Sequence, residues 1–353
     1  MILTIVVGVV VLSVLILVHE LGHFFAAKAT GVPVEEFGIG FPPRIYGKKW
    51  RGTIYSINWI PFGGFNKIAG EIDPQVPKGL ASRGYGVRLL VLAGGIIMNL
   101  LLPFVLLSVA YMVPHNIVEG QVIVKEVNAG SPAETAGIQA GDTIVSVNGK
   151  EITNGGVLSR YIQMGLGNEI TIEYKPAAGD TVTVELVPRW RPPEGEGSVG
   201  VLTETVDPAI VSETMPFWRA IPQGFVSVWE TLVLYKNGII GMIIGTVPFI
   251  PTGPVGIVQV AGEVAQSGIS PVLELTAFIS IAIAITQIIP FPALDGGRII
   301  FVFIEWIRRG KRVSPKVEGI FHTIGFIVLL ALLVLITYQD IYRWATGGSL
   351  IGG

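Results

Sequence analysis

The sequence contains no cysteine, and only 14% of its 353 residues are charged. Without cysteine the chain cannot form disulfide bonds or cysteine–zinc sites, so any metal site must use His, Asp or Glu. About a quarter of the residues of soluble globular proteins are charged, whereas half of this chain is hydrophobic. This composition predicts a membrane protein. The net charge of −2 excludes a strong basic field, so we expect no nucleic-acid partner.

Four long apolar segments predict four transmembrane helices. A helix needs about 20 apolar residues to cross a hydrocarbon core of about 30 Å. A secretory signal peptide is the alternative for the first segment, but no basic residues precede it and no small-x-small cleavage site follows it. A fifth apolar stretch, 239–250, runs into prolines, and we interpret it as re-entrant or interfacial. The four segments are residues 2–18 with those that follow, about 87–113, about 272–304 and about 320–337.

Basic residues orient the predicted spans. Two segments between spans are rich in Lys and Arg, and the positive-inside rule places such segments in the cytoplasm. The N-terminus, residues 114–270 and the C-terminus are then expected outside. The basic residues are Arg44, Lys48, Lys49, Arg51, Lys67, Lys78 and Arg83 in the first segment, and Arg308, Arg309, Lys311, Arg312 and Lys316 in the second.

The rest of the chain divides by composition. Residues 34–69 contain short apolar and aromatic runs broken by Gly and Pro, which predicts a β-rich loop against the cytoplasmic membrane face. Residues 117–190 have the composition of a soluble α+β domain, and 191–197 (RPPEGEG) are expected to be a linker. We therefore predict four regions: the first two spans with the β-rich loop (1–113), the α+β domain (114–190), a connecting region (191–270) and the last two spans (271–353).

One helix is predicted inside the connecting region. Ile221, Phe225 and Trp229 recur every fourth residue, with Trp218 nearby, which indicates one face of a helix. A packed surface helix and a helix at the membrane interface both fit this pattern.

The strongest chemical signal is HELGH at residues 19–23. Residues four apart share one face of a helix, so the imidazoles of His19 and His23 can hold one metal ion. Glu20, beside the first of them, can take a proton from a water molecule at that metal. Two unrelated histidines are the alternative. However, the chain has only four histidines, and these two lie at the end of a predicted span, where ionisable groups are usually functional.

A third ligand is expected far away in the sequence, since a catalytic zinc site has three protein ligands and an open position. Asp295, in ALDGG at 293–297, is the only acid between Glu274 and Glu305 and lies in an apolar stretch. A carboxylate there needs a cation to offset its desolvation. Capping a helix is the alternative role for Asp295, but beside the histidine pair we predict a metal ligand.

The remaining ionisable candidates are interpreted as structural or solvated residues. We expect His115, at a domain boundary, and His322, at the start of the last span, to be structural. Glu305 and Glu318 flank a basic turn, and we expect both to be solvated.

With HELGH at 19–23 and LDG at 294–296, the chain resembles the site-2 protease family of intramembrane zinc metalloproteases. Three further stretches look like family motifs: 58–70 (NWIPFGGFNKIAG), 93–99 (AGGIIMN) and 253–257 (GPVGI). The resemblance covers nearly the whole chain. It implies a polytopic α-helical membrane protein with a Zn²⁺ cofactor bound by His19, His23 and Asp295, and with Glu20 as the catalytic base. The substrate contacts that we assign from it are Gln287, Asn99, Gly63, Gly64 and Phe65.

Residues 117–190 resemble a PDZ domain, through SPAETAGI at 131–138, GD at 141–142 and VNG at 147–149. This resemblance implies the bacterial PDZ-bearing branch of the family. Such a protein would lie in the bacterial inner membrane, with its PDZ domain outside and its active site toward the cytoplasmic side. The branch cleaves single-span membrane proteins, including anti-sigma factors and remnant signal peptides. The expected partners are these substrates, the lipid bilayer and a C-terminal peptide at the PDZ domain.

Two residues depart from the family pattern. Gly95 stands where proline usually follows Ala-Gly, and Gln287 stands where asparagine is usual, eight residues before Asp295. Neither departure removes a predicted metal ligand, but Gln287 bears on how substrate is held. The alternative role for Gln287 is structural, as the partner of a backbone carbonyl freed by Pro290 or Pro292.

The sequence therefore predicts an intramembrane zinc metalloprotease. A membrane-anchored PDZ adaptor with a structural or degenerate metal site is the first alternative; it would bind without cleaving, and it leaves Asp295 unexplained. A metal transporter is the second alternative. It would need polar residues along several spans, and the predicted spans have few.

Overall fold

The computed structural model describes residues 2–346, which form two compact units. The first combines the chain up to Ala110 with the chain from Pro251, and the second is Tyr111–Ile250. The helices are α1 (Ile2–Ala29), α2 (Tyr85–Met112), α3 (Pro132–Thr135), α4 (Gly155–Met164), α5 (Phe217–Ile244), α6 (Pro254–Ala265), α7 (Ile269–Ile288), α8 (Asp295–Ile307) and α9 (Pro315–Ala345). The strands are β1 (Val34–Trp50), β2 (Thr53–Ile68), β3 (His115–Val127), β4 (Thr143–Val147), β5 (Lys150–Glu151), β6 (Ile170–Lys175), β7 (Val182–Leu186) and β8 (Val201–Glu213).

Four helices of the described chain are long and apolar enough to cross a membrane: α1, α2, α7 and α9. The four predicted spans are thereby confirmed. α1 continues without interruption through the HELGH motif to Ala29, so the motif lies on the last turns of a membrane helix.

The third predicted segment is not one continuous helix. α7 ends at Ile288 and α8 begins at Asp295. Pro290 and Pro292 lack the amide hydrogen that a helix needs, and each disfavours helical geometry in the residue before it. Ala293 adopts the left-handed region, with φ of 70°. The break puts Asp295 at the start of a new helix.

The predicted β-rich loop consists of two long strands. β1 and β2 pair in an antiparallel arrangement with several register shifts. Gly38 has partners at both Ser56 and Phe65, so this part of β1 is flanked by two segments of β2. β2 also lies against α1: a Cβ on Gly63 would be 2.7 Å from the side chain of Ile16. Glycine at this position lets the strand pair approach the helix that carries HELGH.

The second unit contains a six-stranded sheet in the order β7-β6-β4-β3-β8, with β5 paired to β4. Its core includes the buried side chains of Val122, Ile144, Leu158 and Ile172. β8 has no counterpart among the predicted elements, yet it pairs with β3 along almost its whole length. The sheet therefore extends beyond residue 190, where we had placed the end of the α+β domain.

The helix predicted around Ile221, Phe225 and Trp229 is confirmed as part of α5. All three side chains are exposed, and Trp229 is 69% exposed. Other positions of α5, including Val228, are buried. A row of exposed aromatic and aliphatic side chains favours a helix at the membrane interface over a packed surface helix.

The expectation that Glu305 is solvated is wrong. Its side chain is 7% exposed and accepts hydrogen bonds from Arg88 Nη1 at 2.5 Å and from Arg312 Nε at 2.9 Å. Burial by itself would raise the pKa of Glu305, but these two guanidinium groups outweigh burial and hold the pKa below its ordinary value of 4.5. The ion pairs connect α2, α8 and the turn before α9.

A second buried acid joins α9 to α6. Asp340 is 1% exposed, and its Oδ2 accepts hydrogen bonds from the backbone N–H groups of Gly253 at 3.0 Å and Gly256 at 2.9 Å. These groups belong to the N-terminus of α6, where free N–H groups and the helix dipole favour a negative charge. α6 in turn packs on α1, through Ala261 in a cluster with Val11. Asp340 therefore connects the last helix to the helix with HELGH.

Replacing Asp340 with leucine should lower the melting temperature of the full-length protein in detergent. The substitution leaves two buried N–H groups without an acceptor, which costs about 1–3 kcal/mol when the groups cannot reach water. Tyr338→Leu, at a residue of α9 that is 68% exposed, is the matched control and should melt close to wild type. Equal melting temperatures for the two variants would contradict the role given to Asp340.

Replacing Glu305 with glutamine should destabilise the protein in a pH-dependent way. At neutral pH the loss of one partner of a buried ion pair costs about 3–5 kcal/mol. Because the folded pKa is depressed, the stabilisation from the carboxylate is present above 4.5 and is lost as the pH falls through the folded pKa. The melting temperatures of wild type and Glu305→Gln should therefore converge in acid.

Glu194→Gln, at an exposed acid, is the control for this pH series. A constant difference between wild type and Glu305→Gln from neutral pH to well below 4.5 would show that the carboxylate is not stabilised by the guanidinium groups.

Candidate metal centre

His19 and His23 lie one turn apart on α1, and both side chains are buried. Their Nε2 atoms are 3.1 Å apart. The Nδ1 atom of His23 lies 2.8 Å from the backbone oxygen of Val91 on α2. Because a carbonyl oxygen can only accept, Nδ1 of His23 carries the hydrogen, and in the neutral ring the lone pair is on Nε2. This is the tautomer that a metal ligand needs.

Asp295 completes a three-residue cluster. Its Oδ2 atom lies 3.1 Å from Nε2 of His19 and 3.2 Å from Nε2 of His23. Oδ2 is buried and has no hydrogen-bond donor in suitable geometry among the described residues. The N-cap of α8 is Leu294, and no side-chain hydrogen bond caps this helix, so the alternative role for Asp295 as a cap has no support.

The cluster suits a divalent cation such as zinc. The three candidate ligand atoms all lie within 4.8 Å of one another. Two imidazole nitrogens and one carboxylate oxygen are the donor set of many catalytic zinc sites. A buried carboxylate oxygen that faces two nitrogens without a hydrogen bond fits a cation between them.

Glycines let the helices bring the two imidazoles together. A Cβ on Gly22 of α1 would lie 2.1 Å from the backbone oxygen of Gly94 on α2, so the two backbones touch at this crossing. A Cβ on Gly95 would lie 2.5 Å from both imidazole rings. Glycine at position 95, where the family usually has proline, therefore leaves the space that the two histidine side chains occupy.

The chain before Asp295 is fixed by side chains from two other helices. The N–H of Asp295 donates to Oε1 of Gln287 at 3.3 Å, and the N–H of Ala293 donates to Nδ1 of His322 at 3.1 Å. His322 is thus a structural histidine, as expected. A Cβ on Gly296 would lie 2.3 Å from the backbone oxygen of Ile288, so the break between α7 and α8 also depends on glycine.

A cavity of about 350 Å³ opens beside the cluster. Besides the three residues of the cluster, three others singled out from the sequence line it: Glu20, Gln287 and Phe65. Gly63 and Gly64 are not among its lining residues; both are buried where β2 lies against α1.

Asn99 is also outside the lining of this cavity. It is fully buried behind the cluster, with Nδ2 located 3.3 Å from Nδ1 of His19. Substrate contact by Asn99, as assigned from the family resemblance, has no support in this position.

Three polar residues that were not singled out individually from the sequence also line the cavity: Asn66, Glu71 and Arg298. Glu71 and Arg298 form an ion pair with each other. Both polar atoms of the Asn66 side chain are buried without a hydrogen-bond partner in the described chain. Asn66 directly follows the Gly-Gly-Phe of the predicted membrane-associated loop, and this adjacency was the available signal.

Comparisons with known proteins agree with the cluster. The model for peptidase family M50 matches residues 7–332. The chain is 33% identical over 344 residues to a protein of Clostridium acetobutylicum that is named as a zinc metalloprotease, covering 96% of this chain and 97% of that protein. It is 26% identical over 434 residues to zinc metalloprotease RasP of Oceanobacillus iheyensis, covering 96% of this chain and 99% of that protein.

A family match over nearly the whole chain and relatives of similar length indicate a shared activity as well as a shared fold. The chain therefore belongs to peptidase family M50, the site-2 proteases, and is a zinc metalloprotease of the membrane.

Proposed function

We propose that this protein is an intramembrane protease that hydrolyses peptide bonds of single-span membrane proteins, such as anti-sigma factors or remnant signal peptides, in regulated intramembrane proteolysis. The convergence of His19, His23 and Asp295 beside a cavity, on helices that include a membrane span, carries this proposal.

The chemistry divides among four residues. His19, His23 and Asp295 would hold the zinc ion, which would supply a Lewis acid for hydrolysis when it is bound. Glu20 lines the same cavity and follows His19 directly in the chain. Its carboxylate accepts a proton from the attacking water and then delivers that proton to the departing amine.

The substrate must lose helical structure before it is cut, since the amides of a transmembrane helix are already paired with one another. An unwound segment can pair as an added strand with β2, whose residues Phe65 and Asn66 reach the cavity. The amides of Asn66 and Gln287 offer donors and acceptors to the exposed peptide groups. The two unpartnered polar atoms of Asn66 support this role.

We assign residues 114–190 to a PDZ domain, which the adjoining strand β8 completes. β8 is the edge strand of the sheet, and a groove of about 250 Å³ is lined by residues of α4 and of the chain entering β8. A C-terminal peptide can be added as a strand in such a groove. The domain then selects substrates and contributes no chemistry to the cleavage.

The orientation follows the basic residues. The segments between α1 and α2 and between α8 and α9 carry the clusters of Lys and Arg, so these segments face the cytoplasm of a bacterial cell. The PDZ domain is then extracytoplasmic, and the metal centre, at the end of α1 that leads into the first basic segment, lies toward the cytoplasmic side of the inner membrane.

Replacing Glu20 with glutamine should abolish cleavage and leave zinc in place. The amide cannot accept a proton, and loss of a general base costs about 10²–10⁴-fold in rate. Purified full-length protein in detergent or lipid nanodiscs is assayed on a model transmembrane substrate, and its zinc content is measured by mass spectrometry. His19→Ala is the companion variant and should lose both zinc and activity.

Cleavage by Glu20→Gln at a rate near that of wild type would contradict the assignment of the base. If wild type holds zinc and binds substrates but never cleaves them, the protein is a membrane-anchored adaptor instead.

Asn66→Ala and Gln287→Ala should have different effects. Loss of a substrate hydrogen bond costs about 1–3 kcal/mol, or roughly five- to hundredfold in kcat/KM. Asn66→Ala should show this loss with unchanged zinc affinity. Gln287→Ala should weaken zinc binding as well, because Oε1 of Gln287 holds the N–H of the ligand Asp295.

Thr286→Ala is the control for both variants, because Thr286 is exposed on α7 and, within the described chain, its hydroxyl bonds only to the backbone oxygen of Ala282 in the same helix. Wild-type kcat/KM in a stable Asn66→Ala protein would remove Asn66 from the substrate site. Wild-type zinc affinity in Gln287→Ala would show that its contact with Asp295 does not position the ligand.

A further inference from the structure

The side chain of Asn99 carries an amide and is completely buried. It is 0% exposed, and its Nδ2 lies 3.3 Å from Nδ1 of His19. Its Oδ1 is buried without a hydrogen-bond partner, and no other hydrogen bond to this amide is found within residues 2–346. Burying an amide away from water is unfavourable unless its hydrogen bonds are made. The contact with His19 is thus the one polar interaction available to the Asn99 side chain in the described chain.

The direction of that hydrogen bond decides which nitrogen of His19 can bind a metal. A neutral imidazole carries its hydrogen on one nitrogen and a lone pair on the other. Nε2 of His19 faces Oδ2 of Asp295 at 3.1 Å, so a ligand at this position needs its lone pair on Nε2 and its hydrogen on Nδ1. Whatever group faces Nδ1 must then be an acceptor.

The carboxamide of Asn99 becomes that acceptor after half a turn about its Cβ–Cγ bond. The oxygen and the NH₂ group have almost the same size, so the turn exchanges them without displacing any neighbour. Oδ1 then takes the place opposite Nδ1. The unpartnered acceptor obtains a donor, and the lone pair of His19 is directed to the metal.

His23 uses the same arrangement with a different group. Its Nδ1 donates to the backbone oxygen of Val91, also on α2. Among the described residues no such carbonyl bonds to Nδ1 of His19, and Asn99 lies in its place. α2 therefore supplies the group that faces Nδ1 of each histidine, once from the main chain and once from a side chain.

Asn99 itself is held from a third helix. The hydroxyl of Ser280 on α7 donates to the backbone oxygen of Asn99 at 2.8 Å, and Ser280 is also completely buried. The backbone of Asn99 is therefore fixed relative to α7, and rotation of its side chain is the remaining freedom.

We propose that Asn99 is a positioning residue, whose Oδ1 accepts the Nδ1–H of His19 and so keeps the lone pair of Nε2 directed at the metal. The proposal rests on the assignment of His19 as a zinc ligand and deepens it. It replaces the substrate contact that the family resemblance had assigned to Asn99.

The test is the zinc affinity of the full-length protein, measured by competition with a fluorescent chelator. Asn99→Leu removes the acceptor and should weaken zinc binding by about ten- to hundredfold, the usual cost of losing the hydrogen-bond partner of a metal-bound histidine. Asn99→Asp keeps an acceptor and removes the donor, so its affinity should stay close to that of wild type. Ser108→Ala is the control, because Ser108 is buried on the same helix and, among the residues that the structure describes, its hydroxyl bonds only to the backbone oxygen of Phe104.

Cobalt absorption spectra of the same variants add a readout of ligand geometry. We expect Asn99→Leu to change the spectrum and Asn99→Asp to preserve it. Wild-type zinc affinity in Asn99→Leu, with zinc lost from His19→Ala, would overturn the proposal and leave the metal site intact. If Asn99→Leu does not fold, the zinc affinity of Asn99→Asp decides the direction of the hydrogen bond. A zinc affinity as low as that of His19→Ala would mean that the wild-type amide donates to His19, which would overturn the proposal. Retention of zinc by His19→Ala would instead refute the metal site.

Discussion

Two imidazole nitrogens and a carboxylate oxygen lie within about 3 Å of one another in a largely buried position. Lone pairs so placed repel one another unless a cation lies between them, and burial removes the water that would otherwise separate them. The surrounding structure holds this arrangement in place. Val91 and Asn99 contact the outer nitrogens of the two rings, and Gln287 holds the backbone of the carboxylate residue.

The sequence predicted the spans and the pairing of His19 with His23 because both depend on local pattern. Hydropathy over some twenty residues identifies a membrane helix, and a spacing of four identifies one face of it. Asp295 was detectable because an acid in an apolar run is costly. Hydropathy measures apolar content and not helical continuity, and the break between α7 and α8 follows instead from Pro290 and Pro292.

Features that depend on distant partners could not be predicted. Glu305 is 217 residues away from Arg88, and only the fold brings the two together. β8 contains Asp207, which adopts the left-handed region, followed by Pro208, and both residues weaken the sequence pattern of a strand. An edge strand tolerates both residues because the backbone groups on its free side pair with no neighbouring strand. Asn99 was recognised from a motif, but its contact with a ring nitrogen of His19 depends on how α1 and α2 cross.

The crossing of α1 and α2 at Gly22 and Gly94 limits how the sequence of this protein can change. A side chain that clashes with another side chain can be accommodated when the neighbour mutates to a smaller residue. At Gly22 and Gly94 the nearest atoms belong to the opposite backbone. A backbone cannot be made smaller. A second mutation to a smaller side chain therefore cannot compensate for a side chain at either position, and each must change, if it changes at all, together with the path of a whole helix.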